Sequence, residues 1–307
     1  MIRILFIFIC NLLMLNMMAQ ESIGGDPLSL GLKLNQNVPT YTFAALNLPQ
    51  LIAEDAENGK NGVLERSALI RPANLGLYNS GVWTELENGD RIWRLVIHAD
   101  AAKAITLLFK DFFLPEGAKL FVYNPNYTQI LGAYTSINNR ESKQFTTELI
   151  HGDKVVLEYY EPASQAFNGQ FIVEGVAHFY KDIPWYTETQ DFGDSDNCEV
   201  NINCSEGNSW QDIKKGVARI FVVAGGSGGW CTGSLVNNTD LNCTPYFLTA
   251  FHCGEGSSTS NFNNYVFYFN YEASGCTNPG SQSTITNSAQ YFSVTGCSVV
   301  SSSNNGG

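Results

Sequence analysis

The chain has 307 residues, 44% of them hydrophobic and only 15% charged, with a formal net charge of −12. That balance excludes a disordered chain. It also argues against nucleic-acid phosphates or an anionic membrane surface as partner, since both want a basic stripe.

In chain order, residues 1–19 begin with Met1-Ile2-Arg3 and continue as an apolar run from Ile4 to Met18, broken by Asn11 and Asn16 and closed by Ala19. A basic start, a short apolar core and a small residue at the exit are the pattern of a secretory signal peptide. The run is too short and too polar for a membrane span. The mature protein is therefore expected to be secreted, off the membrane once the signal is removed, and monomeric. Cys10 falls inside the signal. In an oxidising compartment the other seven cysteines, Cys198, Cys204, Cys231, Cys243, Cys253, Cys276 and Cys297, read as disulfide partners. Seven is odd, so one of them lacks a partner within this chain.

Residues 20–192 contain no cysteine. Residues 50–66 are polar and charge-rich and read as a loop or a short helix. Alternating or continuously apolar runs at Arg91–Ala99, Ala104–Leu114, Lys119–Tyr123, Lys154–Tyr160 and Phe171–Tyr180 read as strands, with turns at Pro115–Gly117, Asn124–Asn126 and His151–Asp153. Short strands at such spacing predict an antiparallel sandwich. Trp83, Trp93, Tyr159 and Tyr160 fit its core or rim. His98, His151 and His178 have no spaced partners and read as surface or strand-face residues.

A polar run, Thr189–Asp196, marks a boundary. Beyond it the chain is rich in Gly, Ser and Asn and again reads as β, with strands expected over Gly216–Ala224, Trp230–Val236, Tyr246–Thr249 and Tyr265–Tyr271. Gly225-Gly226-Ser227-Gly228-Gly229 matches G-x-S-x-G, but a strand follows it where a nucleophile elbow needs a helix, so it reads as a hairpin turn.

One passage carries chemistry. Cys231-Thr232-Gly233-Ser234-Leu235-Val236-Asn237-Asn238 is followed by Tyr246-Phe247-Leu248-Thr249-Ala250-Phe251-His252-Cys253. A buried strand ends at Leu248-Thr249-Ala250, and His252 stands just past it. A bridge from Cys253 back to Cys231 would fix the backbone under His252, as a general base requires.

This passage resembles the chymotrypsin-like (trypsin-like) serine peptidases, whose catalytic His lies in a Thr-Ala-x-His-Cys motif. It is more similar still to secreted bacterial lysyl endopeptidases, through Gly193…Cys198, Cys204-Ser205-Glu206-Gly207, Cys231–Thr239, Tyr246–Gly254 and Phe269-Asn270-Tyr271…Cys276. The resemblance implies an all-β chain: a signal peptide (1–19), a β-sandwich-like pro-region (20–192) and, from 193 to 307, the first β-barrel of a trypsin-like double-barrel domain. It implies His252 as the general base, bridges Cys231–Cys253 and Cys204–Cys276, and a Cys198 whose partner is absent from this chain. Cys243 and Cys297 fall outside the family bridges and are free to pair with each other. Protein or peptide substrates are implied, with Lys as the family's preference; no metal, cofactor or nucleic acid is.

A Ser-His-Asp triad needs an Asp and a nucleophilic Ser after the His. The residues after His252 hold two acids, Glu255 and Glu272, with no Asp and no Gly-Asp-Ser-Gly-type segment. The expectation is a C-terminally incomplete and, as written, inactive peptidase. The alternative is a non-enzymatic exported binding or adhesion protein that carries a degenerate peptidase remnant.

Overall fold

A computed structural model describes residues 22–32, 34, 37–60, 65–181, 198, 200–272, 275–276 and 292–303. The expected signal peptide at 1–19 and the expected boundary at 189–196 lie outside these residues.

The fold is mostly β, as the alternating runs predict. The strands are β1 (Thr40–Phe43), β2 (Arg66–Gly76), β3 (Val82–Glu85), β4 (Arg91–Ala99), β5 (Ala104–Phe113), β6 (Lys119–Tyr123), β7 (Ile130–Tyr134), β8 (Phe145–Thr146), β9 (Ile150–His151), β10 (Lys154–Glu161) and β11 (Gln170–Phe179). After them come β12 (Val217–Ala224), β13 (Ser227–Val236), β14 (Tyr246–Thr249), β15 (Val266–Phe269) and β16 (Phe292–Thr295). Two α-helices interrupt them, α1 (Leu48–Lys60) and the single-turn α2 (Thr259–Asn263).

The first sheet has the order β1-β4-β10-β6-β7, with β3 also on β4. The second runs β16-β15-β12-β13-β2-β11-β5-β8, with β14 also on β13 and β9 on β5. The pairings are antiparallel except that of β1 with β4. The sheets face each other across one core. Trp93, Leu95 and Ile97 of β4 and Val155, Leu157 and Tyr159 of β10 meet Ile105, Leu107 and Phe109 of β5 and Phe171 and Val173 of β11. This is the sandwich that the spacing of the runs predicts.

The residues between these positions have a second role. Ala104 and Leu108 of β5, with Ala177 and Phe179 of β11, point to the other side and pack on Phe221, Val223, Val266 and Tyr268 of β12 and β15. The alternate residues Ile220, Val222, Phe267 and Phe269 form a third cluster with Cys231, Cys253, Tyr265 and Phe247. Strands β5, β11, β12 and β15 are thus covered on both faces, which is why they read as continuous apolar runs rather than as clean alternation.

The structure decides between two pairs of alternatives. The charge-rich stretch at 50–66 is a helix of more than three turns through Lys60, α1, tied down by Arg66. The Arg66 guanidinium reaches Asp55 (2.9 Å), Glu54 (3.1 Å) and the Leu51 carbonyl (3.3 Å). Of the surface and strand-face readings, His151 in β9 and His178 in β11 take the second, and both are buried. As to the expected first barrel, β14 curls so that Phe247 packs against Phe267 of β15 (ring centroids 5.1 Å), but among the described residues no closed barrel forms.

Candidate active-site segment around His252

Of the glycine-rich segment, Gly225-Gly226 form the hairpin turn, while Ser227-Gly228-Gly229 already belong to β13. Gly225 and Gly226 have φ of 55° and 78°, and Ala224 pairs with Ser227 across them. Two successive positive φ angles suit glycine and match the twist of a tight hairpin. The hairpin sets β13 against β12, from Val217↔Ser234 to Ala224↔Ser227. Strand β14 then pairs back on the second half of β13, from Gly233↔Thr249 to Val236↔Tyr246.

Gly233 allows that close approach. A Cβ there would collide with the Phe247 ring and the Leu248 carbonyl oxygen. The Gly in Cys-Thr-Gly-Ser is therefore a packing requirement of β14.

His252 sits on a 3-10 turn, Phe251–Cys253, that starts directly after β14. Three ties hold this turn. Thr249 Oγ1 donates to the Thr232 carbonyl (2.8 Å), the Tyr265 hydroxyl donates to the Cys253 carbonyl (2.8 Å), and the Cys231–Cys253 disulfide joins the turn to β13. The bridge closes a loop of 22 positions, worth roughly 3 kcal/mol of chain entropy in the unfolded state. Cys231, Cys253 and Tyr265 are buried, whereas the His252 ring is exposed and has no hydrogen-bond or ion-pair partner among the described residues. The backbone is fixed and the imidazole is exposed.

The ligand atoms of Cys231, His252 and Cys253 lie within 4.8 Å of one another. Both sulfurs are consumed by the disulfide, so neither is available as a thiolate ligand.

A second disulfide, Cys204–Cys276 (Cα–Cα 4.4 Å), ties the segment before β12 to the one after β15. The pairing considered for Cys243 and Cys297 is not formed. Cys243 lies exposed in the loop between β13 and β14, while Cys297 is half-buried against the third cluster, its amide donating to the Phe262 carbonyl. Cys198 is exposed and unbridged.

Neither acid that follows His252 serves it. Glu272 is half-buried and paired with Lys214 (2.8 Å), and Glu255 is exposed with no ion pair among the described residues. The histidines of the N-terminal region lie elsewhere: His98 bonds Asp153 (3.2 Å), and His151 and His178 are inside the fold.

Comparison with known proteins now bears on this geometry. Residues 192–306 match the family described as "Lysyl endopeptidase, C-terminal domain". A lysyl endopeptidase of Pseudomonas aeruginosa is 27% identical over 135 residues, which cover 42% of this chain and 29% of that protein. The chain thus spans under a third of the curated relative's length. The matched family region holds both disulfides and His252, which lie among the features carrying the sequence resemblance.

Proposed function

We propose that this chain is part of an exported serine endopeptidase precursor. In this reading residues 1–19 are the export signal, 20–192 are a β-rich pro-region, and the segment from 193 onward carries the general base of the catalytic domain. His252 takes the proton from an attacking serine hydroxyl, is charged while the tetrahedral intermediate forms, and returns the proton to the leaving amine, leaving an acyl-enzyme for water to cleave. The substrate is a protein or peptide, with cleavage after lysine as the preference. The pro-region assists folding or covers the site until it is removed.

The observation that carries this reading is the placement of His252: exposed, and unpartnered among the described residues, on a turn stapled to β13 by Cys231–Cys253. In this reading its triad partners lie beyond this sequence: Glu272 is paired with Lys214, and neither acid after His252 bonds it among the described residues.

The test is to read the DNA past codon 307 in frame and express the product. A continuation with an Asp, a Gly-x-Ser-Gly segment and a further cysteine supports the peptidase. Its His252→Ala variant should fold with an unchanged unfolding midpoint and lose about 10⁴-fold or more in kcat on lysyl peptides. If that variant cleaves as fast as its parent, His252 is not the base.

One observation favours a second reading. Since Glu272 is committed to Lys214, a stop codon after Gly307 would leave His252 with no acid, and the protein would be a binding or adhesion module with a peptidase remnant.

A further inference from the structure

The N-terminal region does not merely precede the His252 segment; it is built into the same sheet. Strand β2 pairs with the first half of β13 through Ser227↔Leu69, Gly228↔Ala68 and Gly229↔Arg66, and the Ile70 amide donates to the Gly226 carbonyl (2.9 Å). Strand β14 pairs with the second half of β13. Strand β12 occupies the other edge of β13 from Ser227 to Ser234. Strands β2 and β14 therefore lie end to end on one edge. Only Trp230, Cys231 and Thr232 separate them, roughly 10 Å of strand. The residue that anchors the disulfide under His252 sits in that gap.

The rest of the contact is equally specific. Phe179 of β11 packs on Phe221 (5.2 Å between ring centroids) and near Trp230 (6.1 Å). A strap at 144–149 supplies the polar ties. Thr146 Oγ1 donates to Asn264 Oδ1 (2.7 Å), the Leu149 amide to the Tyr268 hydroxyl (3.2 Å), and Thr295 Oγ1 to the Thr146 carbonyl (3.1 Å). Ser293 Oγ donates to Glu148 Oε1 (2.6 Å) and Gln144 Nε2 to Ser260 Oγ (2.6 Å). These bonds grip β15, β16 and α2, and the buried ones penalise any displaced docking that leaves their groups unpaired. Leu248, Phe251 and His252, by contrast, stay exposed.

We infer that residues 65–181 act on the His252 segment as an edge template: β2 sets the register of β13, and with it the position of Cys231 and the turn bearing His252, while His252 itself is left uncovered. A one-residue slip of β13 would turn Cys231 out of the third cluster and away from Cys253, since successive side chains point to opposite faces. An immobile β2 forbids the slip. This deepens the reading of residues 20–192 as a pro-region and separates its two options: the contacts favour assisting the fold over plugging the site.

Two measurements on the full chain test the inference, and neither uses peptide hydrolysis. Its failure is therefore distinguishable from failure of the peptidase reading. The first is diethyl pyrocarbonate modification of the folded, oxidised chain, read by peptide mass mapping. His252 should react at least about tenfold faster than buried His151 and His178, which react only through opening of the fold. A His252 as slow as those two would show that the N-terminal region covers it and would overturn the inference.

The second is amide hydrogen exchange in Ala68→Glu, which places a carboxylate against Gly228. Exchange along β13 should rise by about tenfold or more while β4 and β10 keep their protection, and the yield of Cys231–Cys253 on oxidative refolding should fall. Ile70→Pro, which removes the Ile70 amide's bond to the Gly226 carbonyl, gives the same readout if Ala68→Glu fails to fold. A β13 with unchanged exchange and unchanged disulfide yield in the folding variant overturns the template.

Discussion

Glu161 shows how single residues hold the sandwich. It is buried at the end of β10 and accepts from the Arg91 guanidinium (Nε 2.8 Å), the Tyr159 hydroxyl (2.7 Å) and the Gly169 amide (2.7 Å). Tyr159 is fully buried, and burial together with the bond to Glu161 pushes its phenol far above the ordinary range, so it stays a neutral donor. Arg91 also lies over the Trp83 ring (4.3 Å). Glu161→Ala would leave a buried hydroxyl and an amide without acceptors and Arg91 without its ion pair. Because Arg91 is partly solvated, the expected cost is about 3 kcal/mol, the low end for a broken buried pair. Glu161→Gln, which keeps an acceptor for Tyr159, should recover part of it. Urea unfolding of the two variants checks the order. If they lose equal stability, the charge is what matters and the acceptor role is wrong.

At the scale of elements, Gly233 links a sequence motif to the placement of the site. Gly233→Ala puts a methyl group against the Phe247 ring and the Leu248 carbonyl. The expected result is outward movement of β14, a stability loss of about 1–3 kcal/mol and faster amide exchange at Phe247 and Leu248, with β4 and β10 unaffected. Unchanged exchange along β14 would mean that the pair tolerates the methyl group. The Thr-Ala-x-His-Cys run was legible for a related reason: its cysteines and its small residues serve one local geometry, although β14, read as a buried strand, is exposed apart from the half-buried Phe247. So were β4, β5, β6, β10 and β12, whose apolar runs are long. Helix α1 was not, because Leu51 is its one buried residue and its stability comes from Arg66, Tyr180 and Lys181. Against the desolvation that raises it, hydrogen bonds from Tyr180 and Lys181 hold the Asp55 carboxyl below its usual range. Nor was β2 legible. It carries Arg66, Arg71 and Pro72, and Pro72 is tolerated where the ladder with β11 is broken by a register shift near Gly175. A strand whose place is set by partners on both edges leaves little trace in its own pattern.

For the whole molecule, the buried histidines of the N-terminal region make folding pH-dependent. Burial pushes the His151 imidazole down to about 3. Burial, with Arg71 nearby, pushes His178 down to about 4. His178 Nδ1 has no hydrogen-bond partner among the described residues, so nothing offsets its lost hydration. In the unfolded chain both titrate near the ordinary value of 6.5. Above that pH both states hold the neutral rings and stability is at its full value. As pH falls from 6.5 towards 4, the unfolded chain takes up two protons that the folded chain refuses. Stability should then fall by about 1.4 kcal/mol per pH unit for each histidine. Asp55 adds a further loss below its ordinary value of 3.8, because its carboxylate is stabilised only in the fold. Urea midpoints at a series of pH values between 7.5 and 4 measure the slope, and His178→Gln, though less stable throughout, should roughly halve it. Because β11 carries His178 and pairs with the β2 that templates β13, the acid transition should release the His252 segment with the sandwich rather than before it. Amide exchange of β13 and β11 should therefore rise together as pH falls. If β13 opens at a higher pH than β11, the two regions unfold independently and the continuous sheet is not one cooperative unit.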